Sequence, residues 1–308
     1  MLALAIAILL LIIVCLIIFW FLSSQILSPE SSLALSQEKM KTDWGMDYEA
    51  MIKLLPEPVN FTVHSFDGIA LKGKYFASKT PPKGVIIGVH GWTGTWAEML
   101  KYVPVLADCA CDLVLYDHRA HGLSDKVHPT GGINEAKDLL AITNWVQKNK
   151  GFEDHKIGWL GSSWGAATVL KAGETGKQVG FIIADSPFQN WYSAIFERAE
   201  RDYGTWTKLA SVGIMEMVNW RTGVNYREAS PLKATKQIKV PILLIHSKMD
   251  NSTNSAQSVN IAKHLNAKSV FHHLTWGGDH TLDVVFHKAK FKILINDFLK
   301  TIEVDFLK

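Results

Sequence analysis

The first 22 residues carry no charged side chain and are almost all Leu, Ile, Ala, Val and Phe. As an α-helix rising ~1.5 Å per residue, such a run spans the ~30 Å hydrocarbon core of a bilayer. Trp20 and Phe21 lie at one end of the run, where aromatic side chains occupy a membrane interface. A cleaved signal peptide would begin with basic residues, have a shorter apolar stretch and end in small residues. Residues 1–22 therefore predict an uncleaved single-pass membrane anchor, and the flanking charges do not decide which side the rest of the chain occupies.

Residues 23–56 mix Ser, Glu, Gln and Lys with scattered apolar positions, which predicts a connector between this anchor and a domain at residues 57–308. The domain opens with two β-type runs around Phe66-Asp67-Gly68, a pattern typical of an antiparallel hairpin. Beyond them, short continuous apolar runs alternate with helical ones. Because fully apolar strands are buried on both faces, the alternation predicts an α/β fold, a mostly parallel sheet covered by helices on both sides.

The predicted strands are 60–65, 70–76, 85–90, 112–117, 156–160, 179–185, 240–247 and 269–276. The predicted helices between and after them are 95–107, 134–148, 164–172, 255–265 and 284–301.

Residues 187–236 interrupt the alternation and are too many for an ordinary connection between two strands. They contain the aromatic residues Trp191, Tyr192, Phe196, Tyr203, Trp206, Trp220 and Tyr226. We interpret the segment as a helical cap over the carboxyl edge of the sheet, although the aromatic residues would equally suit extra helices with a core of their own. Caps of this kind commonly line substrate pockets.

Composition and charge exclude several classes of function. The formal net charge of +3 comes with no basic cluster and no zinc-finger spacing, so the sequence predicts no nucleic-acid binding. Three cysteines do not form a disulfide framework. His118 and His121 have no further candidate ligands near them in sequence, and we therefore predict no metal site.

Gly161-Ser162-Ser163-Trp164-Gly165 carries the strongest chemical signal. It follows a predicted strand and opens a predicted helix, the context in which G-x-S-x-G forms a nucleophile elbow. The sharp turn lifts the Ser163 hydroxyl above the sheet and crowds the backbone on either side, which explains glycine at Gly161 and Gly165.

A serine nucleophile needs a base, a carboxylate that orients the base, and donors for the developing oxyanion. Asp250 follows a predicted strand, at the edge of the sheet where ligands gather in α/β proteins, though it could instead cap the next helix. Asp185, at the end of the preceding strand, is the alternative acid. His280 follows the last strand in a Gly-rich loop that can return an imidazole over the sheet.

Two backbone N–H groups are candidates for the oxyanion hole. Trp92 lies in His90-Gly91-Trp92-Thr93-Gly94 at the end of a strand, and Trp164 directly follows the predicted nucleophile. In the segment after the next strand, Arg119 and His121 are expected to brace the loop beside the site and to take no part in the chemistry.

Together, the H-G-x-x-G segment at 90–94, the D-x-R-x-H-G-x-S segment at 117–124, the elbow and the late Asp and His resemble the α/β-hydrolase superfamily. The resemblance covers residues 56–308 and is nearest to membrane-anchored hydrolases of the serine-esterase or aminopeptidase-like type. It implies a Ser163–His280–Asp250 triad and no cofactor. Ala120 stands where many members have Gly, and Ser247 replaces the Gly that usually follows the late-strand His.

Within that superfamily a serine at the elbow implies acyl transfer to water. The aromatic cap and the anchor favour a small-molecule ester or thioester with an apolar acyl group. One alternative is a serine peptidase of the prolyl-oligopeptidase or aminopeptidase type, whose substrate amine could meet Glu197, Glu200 or Asp202 in the cap. The other is a catalytically inactive, membrane-tethered scaffold on the same fold.

Overall fold

An eight-stranded sheet forms the centre of the protein in the computed structural model, which describes residues 1–304, 306 and 307. Its strands are β1 (Val59–His64), β2 (Ala70–Phe76), β3 (Gly84–Val89), β4 (Cys111–Tyr116), β5 (Ile157–Ser162), β6 (Phe181–Asp185), β7 (Ile242–Ser247) and β8 (Val270–Leu274). Their order across the sheet is β1-β2-β4-β3-β5-β6-β7-β8. β2 runs antiparallel to both of its neighbours, and every other pairing is parallel. The predicted α/β class is confirmed, and each predicted strand is present.

The α-helices are α1 (Leu2–Leu27), α2 (Leu33–Thr42), α3 (Tyr48–Ile52), α4 (Ile133–Lys150), α5 (Trp164–Gly173), α6 (Trp191–Tyr203), α7 (Thr207–Thr222), α8 (Pro231–Thr235), α9 (Ala256–Ala262), α10 (Asp283–Phe286) and α11 (Lys288–Thr301). Two apolar layers separate the sheet from its helices. Phe181, Phe291 and Phe298 belong to one layer, and Val146 and Trp159 belong to the other. Strands β3, β5, β6 and β7 are buried along their whole length, which is why their sequences are continuously apolar.

Two predicted helices were wrong in extent. The segment predicted as a helix over 95–107 is a 3-10 helix at Trp96–Tyr102, and Pro104 has no N–H to continue a helical ladder. The helix predicted over 284–301 is divided into α10 and α11, because His287 leaves the helical region with φ −121° and ψ 40°.

α1 ends at Leu27, five residues beyond the predicted anchor boundary at Leu22. It is long and apolar enough to cross a membrane, and no residue in its most apolar part is buried. The next two helices, α2 and α3, lie within the predicted connector at residues 23–56, and this segment packs on the domain. Met40, Trp44 and Met46 are buried in the same apolar layer as Phe291.

The segment between β6 and β7 contains α6, α7 and α8, which is where a helical cap was predicted at 187–236. α6 and α7 pack against each other, and α7 also packs against α1. The carboxyl ends of β5, β6, β7 and β8 lie at one edge of the sheet, since these strands are parallel. That edge positions the functional side chains.

Candidate active site

The turn between β5 and α5 has the geometry of a nucleophile elbow. Ser163 adopts φ 57° and ψ −115°, a strained conformation for a residue with a side chain, and its N–H donates to the Asp185 carbonyl at 2.8 Å. A Cβ on Gly165 would overlap the carbonyl oxygens of Val89 and His90, and one on Gly161 would overlap the backbone of Gly165. Both glycines are therefore required by the close approach of three backbone segments.

Three side chains from separate loops meet at this turn. His280 Nε2 lies 2.7 Å from Ser163 Oγ, and His280 Nδ1 lies 2.6 Å from Asp250 Oδ2. A carboxylate only accepts hydrogen bonds, so Nδ1 carries a proton and Nε2 of the neutral ring is free to accept from the serine hydroxyl. The line from hydroxyl to imidazole to carboxylate is the arrangement in which a base takes a serine proton.

Asp250 is fixed and ionised. Its side chain is fully buried, and Oδ1 accepts from the backbone N–H groups of Ser252 and Thr253 at 2.8 and 2.7 Å. Burial acts to raise its pKa, but the interactions of the carboxylate with the His280 and His246 rings outweigh burial and hold the pKa well below its usual range. Asp185, the alternative acid, instead accepts from Tyr102 Oη at 2.7 Å and from Ser186 Oγ at 3.0 Å.

The loop after β3 approaches the elbow from the other side. A Cβ placed on Gly91 would lie 3.3 Å from Ser163 Cβ, so this backbone passes directly over the serine. Within the described part of the chain, the N–H groups of Trp92 and Trp164 have no protein acceptor. Two unengaged donors on the loop and on the first residue of α5 fit the predicted oxyanion hole.

Comparison with known proteins places this arrangement in a family. Residues 117–291, more than half of the chain, match the prolyl oligopeptidase family. The chain belongs to that family. It is 28% identical over 269 residues to the uncharacterized protein YqkD of Bacillus subtilis, covering 85% of each chain.

Solved structures agree on the fold. A Pyrococcus furiosus esterase, PF2001, superposes with a TM-score of 0.68 at 20% identity, covering 89% of this chain and 97% of the esterase. An acylaminoacyl peptidase of Pyrococcus horikoshii superposes with a TM-score of 0.60 at 23% identity, over 83% of this chain and 43% of the peptidase. This member of the prolyl oligopeptidase family is thus a serine hydrolase with the α/β-hydrolase fold, and the predicted superfamily is confirmed.

His246 is a neighbour of the site that the sequence pattern did not mark. It is fully buried, and its Nε2 lies 3.0 Å from Asp250 Oδ2 and 3.0 Å from the Thr253 carbonyl. Both neighbours are acceptors, so Nε2 donates, and Nδ1 accepts from Ser258 Oγ at 2.7 Å. The available signal was a histidine ending an apolar strand four residues before the acid, which is easily taken for a strand residue alone.

Arg119 and His121 lie in the loop after β4, beside the oxyanion loop. Arg119 donates to both carboxylate oxygens of buried Asp138 at 2.6 Å and reaches Asp67 at 2.9 Å. His121 Nδ1 donates to the Arg119 carbonyl at 2.9 Å, and Nε2 accepts from the Thr93 N–H at 3.3 Å. Burial lowers the pKa of His121 to about 4, so the ring is neutral and holds Thr93 at φ 60°.

His118 and His121, considered above as metal ligands, pack against aromatic rings, with the His118 ring 4.4 Å from that of Trp164. Among the described residues, no three His, Cys, Asp or Glu side chains are grouped as a metal ion would need.

Proposed function

We propose that this chain is a membrane-anchored serine esterase that cleaves esters or thioesters of an apolar acyl group. The observation that carries the proposal is the continuous hydrogen-bonded line from Ser163 Oγ through His280 to Asp250. It supports an activated serine because the Ser163 hydroxyl has His280 Nε2 as its acceptor and the His280 Nδ1–H has Asp250 as its acceptor.

In this mechanism His280 Nε2 takes the hydroxyl proton as Ser163 Oγ bonds to the acyl carbon. The carbonyl electron pair moves to oxygen, where the N–H groups of Trp92 and Trp164 stabilise the charge. Asp250 keeps the imidazole oriented and stabilises its protonated form. The tetrahedral intermediate then expels the alcohol or thiol, which receives the proton from His280. Water, deprotonated by the same nitrogen, cleaves the acyl-enzyme and restores Ser163.

The apolar surroundings support an apolar acyl group. The ring of Trp92 packs edge-on against Trp164 at 5.1 Å and against Trp191 of the cap at 5.3 Å. Phe188 and Leu27 belong to the same buried cluster. Of these side chains only Trp92 is partly exposed, so an acyl chain beside Ser163 would meet its indole ring, which the buried cluster holds in place.

The acidic residues of the cap argue against an aminopeptidase. Glu197 Oε2 accepts from the Asn254 N–H at 3.1 Å and from Gln257 Nε2 at 2.6 Å. Glu200 is paired with Lys208 at 3.0 Å, and Asp202 is hydrogen-bonded to its neighbour Arg201. Each carboxylate that could hold a peptide amine already has a partner within the chain.

The membrane part of the proposal rests on α1. Its apolar window is exposed, and so large an apolar surface on one helix needs lipid around it. Ser23 and Leu27, at the other end of the helix, are buried in the hydrolase domain, which supports retention of the helix over its removal as a signal peptide.

A fluorophosphonate probe tests the serine directly on the full-length protein in detergent. We expect the wild type to be labelled, Ser163→Ala to be unlabelled, and the neighbouring Ser162→Ala to keep its label. Absence of labelling in a folded wild type would refute an activated serine and favour the scaffold alternative. The hydrolysis rates of a matched ester and aminoacyl amide then distinguish the esterase from the peptidase alternative. Faster cleavage of the amide would overturn the esterase assignment.

A further inference from the structure

Cap helix α7 is bound to the end of α1 through Arg221. Arg221 Nη1 donates to the Trp20 carbonyl at 3.0 Å and to the hydroxyls of Ser23 and Ser24 at 2.7 and 2.8 Å. Its guanidinium also lies 4.1 Å from the centre of the Trp20 ring, a cation–π contact. One arginine therefore occupies three acceptors and an aromatic face at the point where the apolar run of α1 ends.

The contact continues toward the apolar part of α1. A Cβ on Gly213 would overlap the ring of Phe19, so the two helices approach closely because residue 213 has no side chain. Gly213 lies eight residues before Arg221, so the contact with α1 extends over about two turns of α7. A part of α7 is consequently level with the last apolar turns of α1.

Two exposed tryptophans flank this contact. Trp206, Gly213 and Trp220 are spaced by seven residues, which places them on nearly one line along a helix. The residues Trp206 and Trp220 are each 73% exposed, and the Trp220 ring packs edge-on against Trp20 at 6.2 Å. Trp20 itself is 49% exposed.

Exposed indoles on a face that already meets an apolar helix match the composition of a membrane interface, where Trp places its ring among lipid headgroups. The charged side chains of the cap near these tryptophans are compatible with a position among lipid headgroups because they form ion pairs. Lys208 is bound to Glu200, and Arg227 is bound to Glu216.

We propose that the surface formed by Trp20, Trp206 and Trp220 lies in the headgroup region of the bilayer, so that the cap rests on the membrane and the enzyme takes esters whose acyl chain is embedded there. The substrate class rests on the proposed esterase function, whereas the position of the cap does not. The occupant of this surface is a lipid bilayer because the surface is continuous with α1.

The cap connects this surface to the reacting groups. On α6, Trp191 packs against Trp92, while Arg201 Nη1 donates to the Ser252 carbonyl at 3.1 Å in the loop that carries Asp250. A cap seated on the membrane would therefore contact both the lipid, through α7, and the loops that carry Trp92 and Asp250, through α6.

Depth-dependent quenching tests the position of the cap. A nitrobenzoxadiazole dye is attached to Trp206→Cys or Trp220→Cys in the full chain, with its three native cysteines replaced by Ala, in phosphatidylcholine vesicles. The matched control is Lys268→Cys, an exposed residue just before β8, at the opposite end of the sheet. We expect headgroup-labelled quencher lipids to reduce emission about threefold more at 206 and 220 than at 268. Equal quenching at all three positions would overturn the proposal.

Substrate delivery gives a second readout. We expect Trp206→Ala combined with Trp220→Ala to lower the ratio of vesicle-embedded to water-soluble ester hydrolysis by about fivefold. An unchanged ratio would overturn the claim that substrate comes from the bilayer. Fluorophosphonate labelling of Ser163 in the same vesicles reports the esterase proposal separately, since failure of labelling leaves the quenching result standing.

Discussion

His246 Nε2 lies 3.0 Å from Asp250 Oδ2, the same oxygen that accepts the hydrogen bond from His280 Nδ1. The carboxylate is thus held by two imidazoles, of which only His280 also reaches Ser163. We regard His246 as a positioning residue that keeps Asp250 ionised and correctly placed.

Replacement of this residue is expected to slow catalysis without weakening substrate binding. His246→Leu removes one of the two imidazole hydrogen bonds that fix Asp250 Oδ2, so the carboxylate orients His280 less well. We expect kcat to fall about tenfold at nearly unchanged KM, and His246→Gln to recover part of the loss because its amide N–H can donate to Asp250. Asp250→Asn is the reference, with an expected loss of about 10³ to 10⁴ in kcat. An unchanged kcat, or a loss that His246→Gln does not reduce, would contradict the positioning role.

Acid stability should depend on His121. Its pKa is about 4 in the folded protein, below the ordinary value of 6.5, because burial disfavours the charged ring. The unfolded chain therefore binds more protons between these two pH values. The contribution of His121 to the free energy of unfolding is fully present above pH 6.5 and is lost as the pH falls toward 4. The shift corresponds to about 3 kcal/mol.

We expect His121→Gln to flatten the fall in free energy of unfolding between these two pH values, measured by urea denaturation. His90 and His118 have pKa values lowered by burial as well, so part of the slope will remain. An identical pH dependence of the unfolding free energy in the variant and the wild type would contradict its attribution to His121.

Buried Arg119 and Asp138 form a pair whose members depend on each other. Arg119→Met leaves the Asp138 carboxylate buried without its charge partner and should cost about 3–5 kcal/mol of unfolding free energy. The double variant Arg119→Met with Asp138→Leu should recover much of this loss. Asp67→Ala is the control and should cost less than about 1 kcal/mol, since Asp67 is partly exposed. A double variant as unstable as Arg119→Met alone would refute the argument.

Ala120 has φ 67°, a region that favours glycine. Ala120→Gly removes the clash of Cβ with the backbone and should raise the free energy of unfolding by about 0.5 kcal/mol, after the greater entropy of Gly in the unfolded chain is subtracted. The matched control is Ala141→Gly within α4, which should lose about 1 kcal/mol. Destabilisation by both changes to the same extent would show that φ is not the deciding factor.

The elements that were predictable from sequence rest on local patterns. Strands β3, β5, β6 and β7 are continuous apolar runs, and Gly161 and Gly165 mark the elbow because the turn itself excludes a side chain at each position. The gathering of Ser163, Asp250 and His280 follows from parallel strands ending at one edge of the sheet.

The packing of residues 23–56 on the domain could not be predicted from the sequence pattern. Its polar residues are typical of a solvent-exposed segment, and their hydrogen-bond partners lie far away in the chain. Ser31 Oγ donates to the Gly94 carbonyl at 2.6 Å, and Lys39 binds Glu98 at 3.1 Å. The role of His246 was not predictable for a related reason. Its importance comes from Asp250, whose orientation is fixed only when the loop after β7 has folded.

The partnership of α1 with α7 also sets an order of events during synthesis. Arg221 bonds to Trp20 across a separation of 201 residues, so the ribosome completes most of the sheet before this partner emerges. The apolar cluster around Leu27 likewise forms only after Met215, Val218 and Tyr226 have been synthesised. A helix made before the sheet is therefore among the last elements to be packed in place, and the cap completes the fold on a segment that left the ribosome well before it.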